Sequence, residues 1–130
     1  MQPYIIMLHT DADDRYITES AMAEIGDTIP VEFINQVDEI KAIIASQGEP
    51  VVILLNVNSG LYKGYGIIQE IRAICDHIPV VVLGEVSGDD HIKEWYRAGA
   101  NTFIVKPSTI AATQKKIKTF FEYWLDVAEV

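Results

Sequence analysis

Reactive side chains in this 130-residue chain gather where apolar runs end. His9-Thr10-Asp11 follow Tyr4–Leu8, Asn56 follows Val51–Leu55, Gly84 follows Val80–Leu83, and Lys106-Pro107 follow Thr102–Val105. A lysine at a strand end, followed by proline and a helix start, holds an ammonium over the edge of a sheet. It can neutralise an anion there or pair with a carboxylate. A counter-charge is expected, because an uncompensated lysine in a pocket is costly, and Asp11 is the expected partner. Asn56 raises a different question. An amide is a very weak nucleophile and brings no charge to a metal, yet it stands where a carboxylate could do either job. His9 could titrate or bind a metal, but no second cluster of ligand-type residues accompanies it, so a hydrogen-bonded polar role is expected. The acidic runs Asp11–Asp14 and Asp89-Asp90 suit helix N-termini and solvated surface.

The elements that must position these residues follow from the apolar pattern. Ile5–Leu8, Val51–Leu55 and Val80–Leu83 have no polar alternation, as in parallel strands covered on both faces. Val31–Ile34 and Thr102–Val105 complete five strands. Between and after them lie helical patterns at Asp13–Ile25, Asp38–Gln47, Tyr65–Cys75, Asp89–Ala98 and Ser108–Ala128. The third has an apolar stripe at Ile67, Ile68, Ile71 and Ile74. Glycines at 26, 48 and 99 stand just past helix ends. This alternation predicts a doubly wound α/β fold, (βα)5, in one domain over residues 1–130 with no effector domain. In such a sheet, ligands meet the carboxyl ends of the strands. That is where His9, Asn56, Gly84 and Lys106 are expected to converge.

Composition narrows the function classes. The net charge of −9 repels phosphate backbones and anionic lipids, so neither nucleic acid nor membrane is an expected partner. No apolar run approaches a membrane span, and MQPYIIMLHT lacks a basic leader region. The lone Cys75 cannot form an internal disulfide and is expected as a small buried hydrophobe, so a reducing, cytoplasmic compartment fits.

Taken together, the (βα)5 order, Asp13-Asp14-Arg15 at the first helix start, Gly64, Ile78-Pro79, Arg97-Ala98-Gly99-Ala100 and Lys106-Pro107 resemble the receiver (CheY-like) domain of bacterial response regulators. The likeness runs over essentially the whole chain. It implies a flavodoxin-like sheet of strand order 2-1-3-4-5 and a cis Lys106–Pro107 bond. It also implies two-component (phosphorelay) signalling, in which an aspartate accepts a phosphoryl group beside Mg2+. Carried over position by position, the phosphoacceptor falls on Asn56 and the acidic pair on His9 and Thr10, with Asp11 nearby. The switching hydroxyl falls on Gly84, the switching aromatic on Phe103 and the lysine on Lys106. Only the last two keep their type. Mg2+ binding is therefore expected to be lost or weak, with no other cofactor, metal site or catalytic residue.

The expectation is a stand-alone, non-enzymatic pseudo-receiver that acts by protein–protein interaction. Its partner would be a histidine kinase, another regulator or a separate output protein, with a homodimer through helix 4, strand 5 and helix 5 as a further possibility. Trp95, Tyr96, Phe103, Phe121 and Tyr123 are the expected partner-binding face. Trp95 and Tyr96 are adjacent on a helix and cannot both point inward, so at least one should be exposed. Two alternatives compete. Asp11 could serve as a noncanonical phosphoacceptor. More remotely, Asp11-Ala12-Asp13 looks like the Asp-x-Asp of a small phosphatase-like enzyme, but it starts three residues past Leu8 and the chain lacks room for a cap domain.

Overall fold

The computed structural model describes residues 3–8, 11–25, 29–57, 65–84, 89–107 and 109–127. Strands and helices alternate through β1 (Ile5–Leu8), α1 (Ala12–Ile25), β2 (Val31–Ile34), α2 (Asp38–Gln47) and β3 (Val52–Val57). They continue through α3 (Tyr65–Ile74), β4 (Val80–Gly84), α4 (Asp89–Ala98), β5 (Thr102–Val105) and α5 (Ile110–Glu122), which runs into a π-helical turn at Tyr123–Val127. The strands form one parallel sheet in the order β2-β1-β3-β4-β5.

The uninterrupted apolar strands work as their sequence demands. Ile6, Leu8, Ile53, Leu55, Val80 and Val82 face one side of the sheet, where Ile40 of α2, Ile68 and Ile71 of α3 and Trp95 of α4 cover them. Ile5, Met7, Val52, Leu54, Val81 and Leu83 face the other side, against α1 and α5. Both faces are therefore dry, and alternation along each strand is between two cores rather than between core and water. Cys75 is buried as expected, and burial raises its thiol pKa.

Two local features fix the β4–β5 side. Gly99 ends α4 at φ +118°, a left-handed conformation that favours glycine, and an added Cβ would lie 3.2 Å from Ile68 Cγ2. The Arg72 guanidinium of α3 then donates to the Gly99 carbonyl (2.9 Å) and the Ile78 carbonyl (2.6 Å), joining α3 to the segments that enter β4 and β5. Among the described residues no helix is long and apolar enough to cross a membrane.

Element boundaries differ from the sequence expectation at several places. β3 starts one residue later and extends two residues past Leu55, so Asn56 lies within the strand, opposite Leu83. β4 likewise includes Gly84. The last helix starts at Ile110, capped by the Thr109 side chain, and its regular α-helical part ends at Glu122. The Lys106–Pro107 bond is trans, against the cis bond implied by the receiver likeness; among the described residues no peptide bond is cis. Trans is intrinsically favoured before proline by about 0.5–1 kcal/mol, and Lys106 reaches its ion-pair partner with that isomer.

Candidate functional site

The site assembles at the carboxyl edge of the sheet around a residue of α1 that sequence reasoning passed over. Asp11 and Asp14 cap the first turn of α1 reciprocally. The Asp14 amide donates to Asp11 Oδ1 (2.9 Å), and the Asp11 amide donates to Asp14 Oδ2 (3.2 Å). This is a capping box with aspartate at both positions. The Asp14 amide bond is the main reason the Asp11 carboxyl is held below its ordinary pKa, with smaller help from nearby Lys106. Thr18, buried one turn later, donates to the Asp14 carbonyl (2.8 Å).

With its backbone fixed this way, the Asp14 carboxylate turns to the strand ends. Its Oδ2 accepts from Asn56 Nδ2 at 2.8 Å, and its Oδ1 accepts from Lys106 Nζ at 3.2 Å. Asn56 is fully buried, and the Asp14 and Lys106 side chains are only 14% and 11% exposed. One carboxylate thus takes bonds from an ammonium, a side-chain amide and a backbone amide. Bonds of this charged kind are individually stronger than neutral ones. The expected Lys106–Asp11 pair is replaced by Lys106–Asp14, because Asp11 stays at the exposed helix cap while Asp14 projects over the sheet edge. The spacing Asp11-x-x-Asp14 was the available signal, since a capping box points its second acid back over the helix start.

The arrangement bears on the metal implied by the receiver likeness. Mg2+ seeks several hard oxygen ligands in octahedral geometry. Here the buried carboxylate is engaged by nitrogen donors on both oxygens, and the neighbouring strand end contributes an amide whose NH2 faces that carboxylate. Those donors do not suit a hard dication. His9 and Thr10, expected at the acidic-pair positions, lie outside the described residues.

Across the edge, the Gly84 position is filled from β5. A Cβ built on Gly84 would sit 3.0 Å from Phe103 Cζ and 3.5 Å from the Val57 carbonyl oxygen. The Phe103 ring therefore occupies the space that a side chain at position 84 would need. It packs toward Trp95, with ring centroids 6.4 Å apart. The Phe103 backbone N–H donates to Tyr96 Oη (3.0 Å), and Lys116 Nζ donates to the Val105 carbonyl (2.8 Å), so α4 and α5 each hold β5.

The expected partner face is brought together only in part. Tyr96 and Tyr123 are exposed, at 46% and 51%. Trp95 is 1% exposed and Phe121 is fully buried, so neither can line an open face. Trp95 fills the core between Phe103 and the α4 side of the sheet, and Phe121 is wedged among α1, α5 and the sheet. The adjacency argument for Trp95 and Tyr96 holds, with Tyr96 the exposed member.

Comparison with known proteins agrees with this architecture. The family model of the response regulator receiver domain matches residues 11–118. The transcriptional regulatory protein PrrA of Mycobacterium tuberculosis is 26% identical over 117 residues, covering 89% of this chain and 48% of PrrA. The chain thus spans about half the length of the curated relatives it matches. Among solved structures, a response regulator from Hahella chejuensis superposes with a TM-score of 0.84 at 20% identity, covering 99% of each chain. The phosphorylated cyanobacterial phytochrome response regulator RcpA gives 0.76 at 26% identity, over 99% of this chain and 98% of its own. The chain belongs to the response regulator receiver domain family, whose members are signalling modules of two-component systems.

Proposed function

We propose that this chain is an atypical receiver that signals by binding protein partners and is not switched by aspartyl phosphorylation. The observation that carries this is the buried Asn56 amide bonded to Asp14, with Lys106 paired to the same carboxylate. By the receiver likeness, Asn56 takes the phosphoacceptor position. It offers no carboxylate oxygen to attack a phosphoryl donor, and Lys106 is already neutralised from within the chain. The same bonds argue against Mg2+ as a cofactor.

Gly84 and Phe103 support a second element of this function, a fixed rather than switching β4–β5 edge. In a receiver, the aromatic of the fifth strand follows a hydroxyl side chain on the fourth. Gly84 has none, and the Phe103 ring rests in the space it leaves. Trp95 backs that ring and Tyr96 holds its backbone. The edge is then set by packing together with the Tyr96 and Lys116 hydrogen bonds to β5, and the surface built on α4, β5 and α5 is presented without a chemical signal. The testing experiment is phosphodonor labelling of the full chain with Mg2+, read by intact mass. No phosphoryl adduct is expected. A stable adduct would overturn the proposal, and an adduct mapped to Asp11 would favour a noncanonical acceptor.

A further inference from the structure

Leu54 of β3 and Ile104 of β5 both face the α1–α5 side of the sheet. Side chains alternate along a strand, so Asn56 and Lys106, each two residues further on, project to that same side. There they meet one carboxylate. Asp14 Oδ1 accepts from Lys106 Nζ at 3.2 Å, and Asp14 Oδ2 accepts from Asn56 Nδ2 at 2.8 Å. The two nitrogens have opposite chemistry. A lysine amine is a nucleophile once it gives up a proton, and an amide nitrogen is a leaving group once it gains one. Both distances lie within the range over which a carboxylate passes a proton. Asn56 is fully buried, so its amide carbon is closed to bulk water while an amine stands close by.

From this geometry we infer that Lys106 and Asn56 condense into an intramolecular isopeptide bond, with Asp14 as general acid–base and ammonia as the leaving group. The reaction uses the same three side chains as the function proposed above but goes beyond it. Asp14 Oδ1 takes one proton from the Lys106 ammonium. The freed amine attacks Asn56 Cγ, forming the N–C bond and placing negative charge on Asn56 Oδ1. The protonated Asp14 donates to Nδ2, and its carboxylate then takes a second proton from the attacking nitrogen. As the carbonyl re-forms, the Cγ–Nδ2 bond breaks and ammonia leaves, carrying off that second proton as ammonium. One lysine ammonium and one amide go in; one secondary amide and one ammonium ion come out, with Asp14 regenerated. No oxidant, metal or co-reactant is needed. Amides react slowly with free amines, but well-oriented groups held in one molecule reach effective concentrations of about 10⁵–10⁸ M. Asp14 and the nearby Asp11 both favour the ammonium form, so the bond forms slowly at neutral pH and faster in alkaline buffer. The product ties β3 to β5 across β4 and removes the charge of Lys106.

The test is the intact mass of the full chain, followed over time in alkaline buffer without phosphodonor. The wild type is expected to fall by the mass of one ammonia, about 17 Da. Tryptic digestion should then give a linked pair, the peptide 42–63 with Asn56 joined to the peptide 98–115 with Lys106. Lys106→Arg keeps the positive charge and Asp14→Asn keeps the shape of the side chain; neither should lose ammonia. A wild-type mass that stays at its sequence value would overturn the proposal. So would a gain of about 1 Da mapped to Asn56, which makes water the nucleophile. An ammonia loss that persists in Lys106→Arg would also overturn it, because another amine or backbone nitrogen would then be responsible. The wild-type mass and the linked peptides decide the matter even if a variant fails to fold. Phosphorylation is read as a gain in mass that appears only with the donor, so the two proposals fail separately.

Discussion

Removing the Asp14 side chain should cost far more than an acidic residue at a helix start normally would. In Asp14→Ala the Lys106 ammonium loses its ion pair while only 11% exposed, and the buried Asn56 amide loses an acceptor at 2.8 Å. Breaking a buried pair from one side costs about 3–5 kcal/mol, and the residual exposure of Lys106 points to the lower half of that range. Losing the reciprocal cap to the Asp11 amide adds about 0.5–1 kcal/mol. The sum is about 4 kcal/mol, a fall in Tm of roughly 10–15 °C for a domain of this size. Lys106→Met should cost less, about 1–2 kcal/mol, because Asp14 keeps two N–H donors and the methionine retains the alkyl packing. In the double variant much of the Asp14→Ala penalty disappears, since no ammonium remains to be compensated. Urea unfolding of the four proteins gives a coupling energy, expected at about 2–3 kcal/mol. Exposed Asp13→Ala is the control, expected within about 0.5 kcal/mol of the parent. If Asp14→Ala behaves like Asp13→Ala, or if the cycle is additive, the buried network is not the centre of this site.

Three other outcomes follow from the same geometry. Asn56→Asp puts a second carboxylate in the place of an amide bonded at 2.8 Å to Asp14. Its folded-state pKa should rise above the unfolded value near 4, so the folded state holds the extra proton; stability measured by denaturation should fall as pH climbs from about 4 toward the raised pKa. Gly84→Thr places a Cβ 3.0 Å from Phe103 Cζ and should displace the ring at a cost of about 1–3 kcal/mol, seen as lost Phe103–Trp95 nuclear Overhauser contacts and relieved by Phe103→Ala. His77 bonds Asp76 and Glu49 at the surface, Asp76 first among the causes that raise its pKa. Its contribution to stability should be present below the unfolded pKa near 6.5 and be lost as pH rises through the folded value, a dependence that His77→Gln removes.

Much of the fold was legible because its three central strands open on apolar runs without polar alternation, which fit a sheet covered on both sides. Helix starts and stops were marked by acids and glycines. The carboxyl-edge rule brought Asn56 and Lys106 to one place before any coordinates. It could not choose the carboxylate between them. Asp11 and Asp14 are close in sequence, and only the cap geometry decides which reaches the strand ends and which stays outside. The aromatic residues failed for a related reason. Their place on the fourth and fifth helices, read through the receiver likeness, marks Trp95 and Phe121 as candidates for an interface, but which side of α4 or α5 meets the sheet depends on packing. Phe120 and Phe121 are both buried because α5 is embraced by the sheet and α1 together. The receiver likeness put Gly84 at the switching-hydroxyl position, but an absent side chain says nothing of the ring that fills its space.

The most direct measurement is phosphodonor labelling of the unmodified chain. The protein is incubated with Mg2+ and a small-molecule phosphodonor such as acetyl phosphate, then weighed intact and mapped after proteolysis. With Asn56 buried against Asp14 and Lys106 committed to the same carboxylate, the mass of the chain should not change. A stable, Mg2+-dependent gain of one phosphoryl group on any aspartate would contradict it.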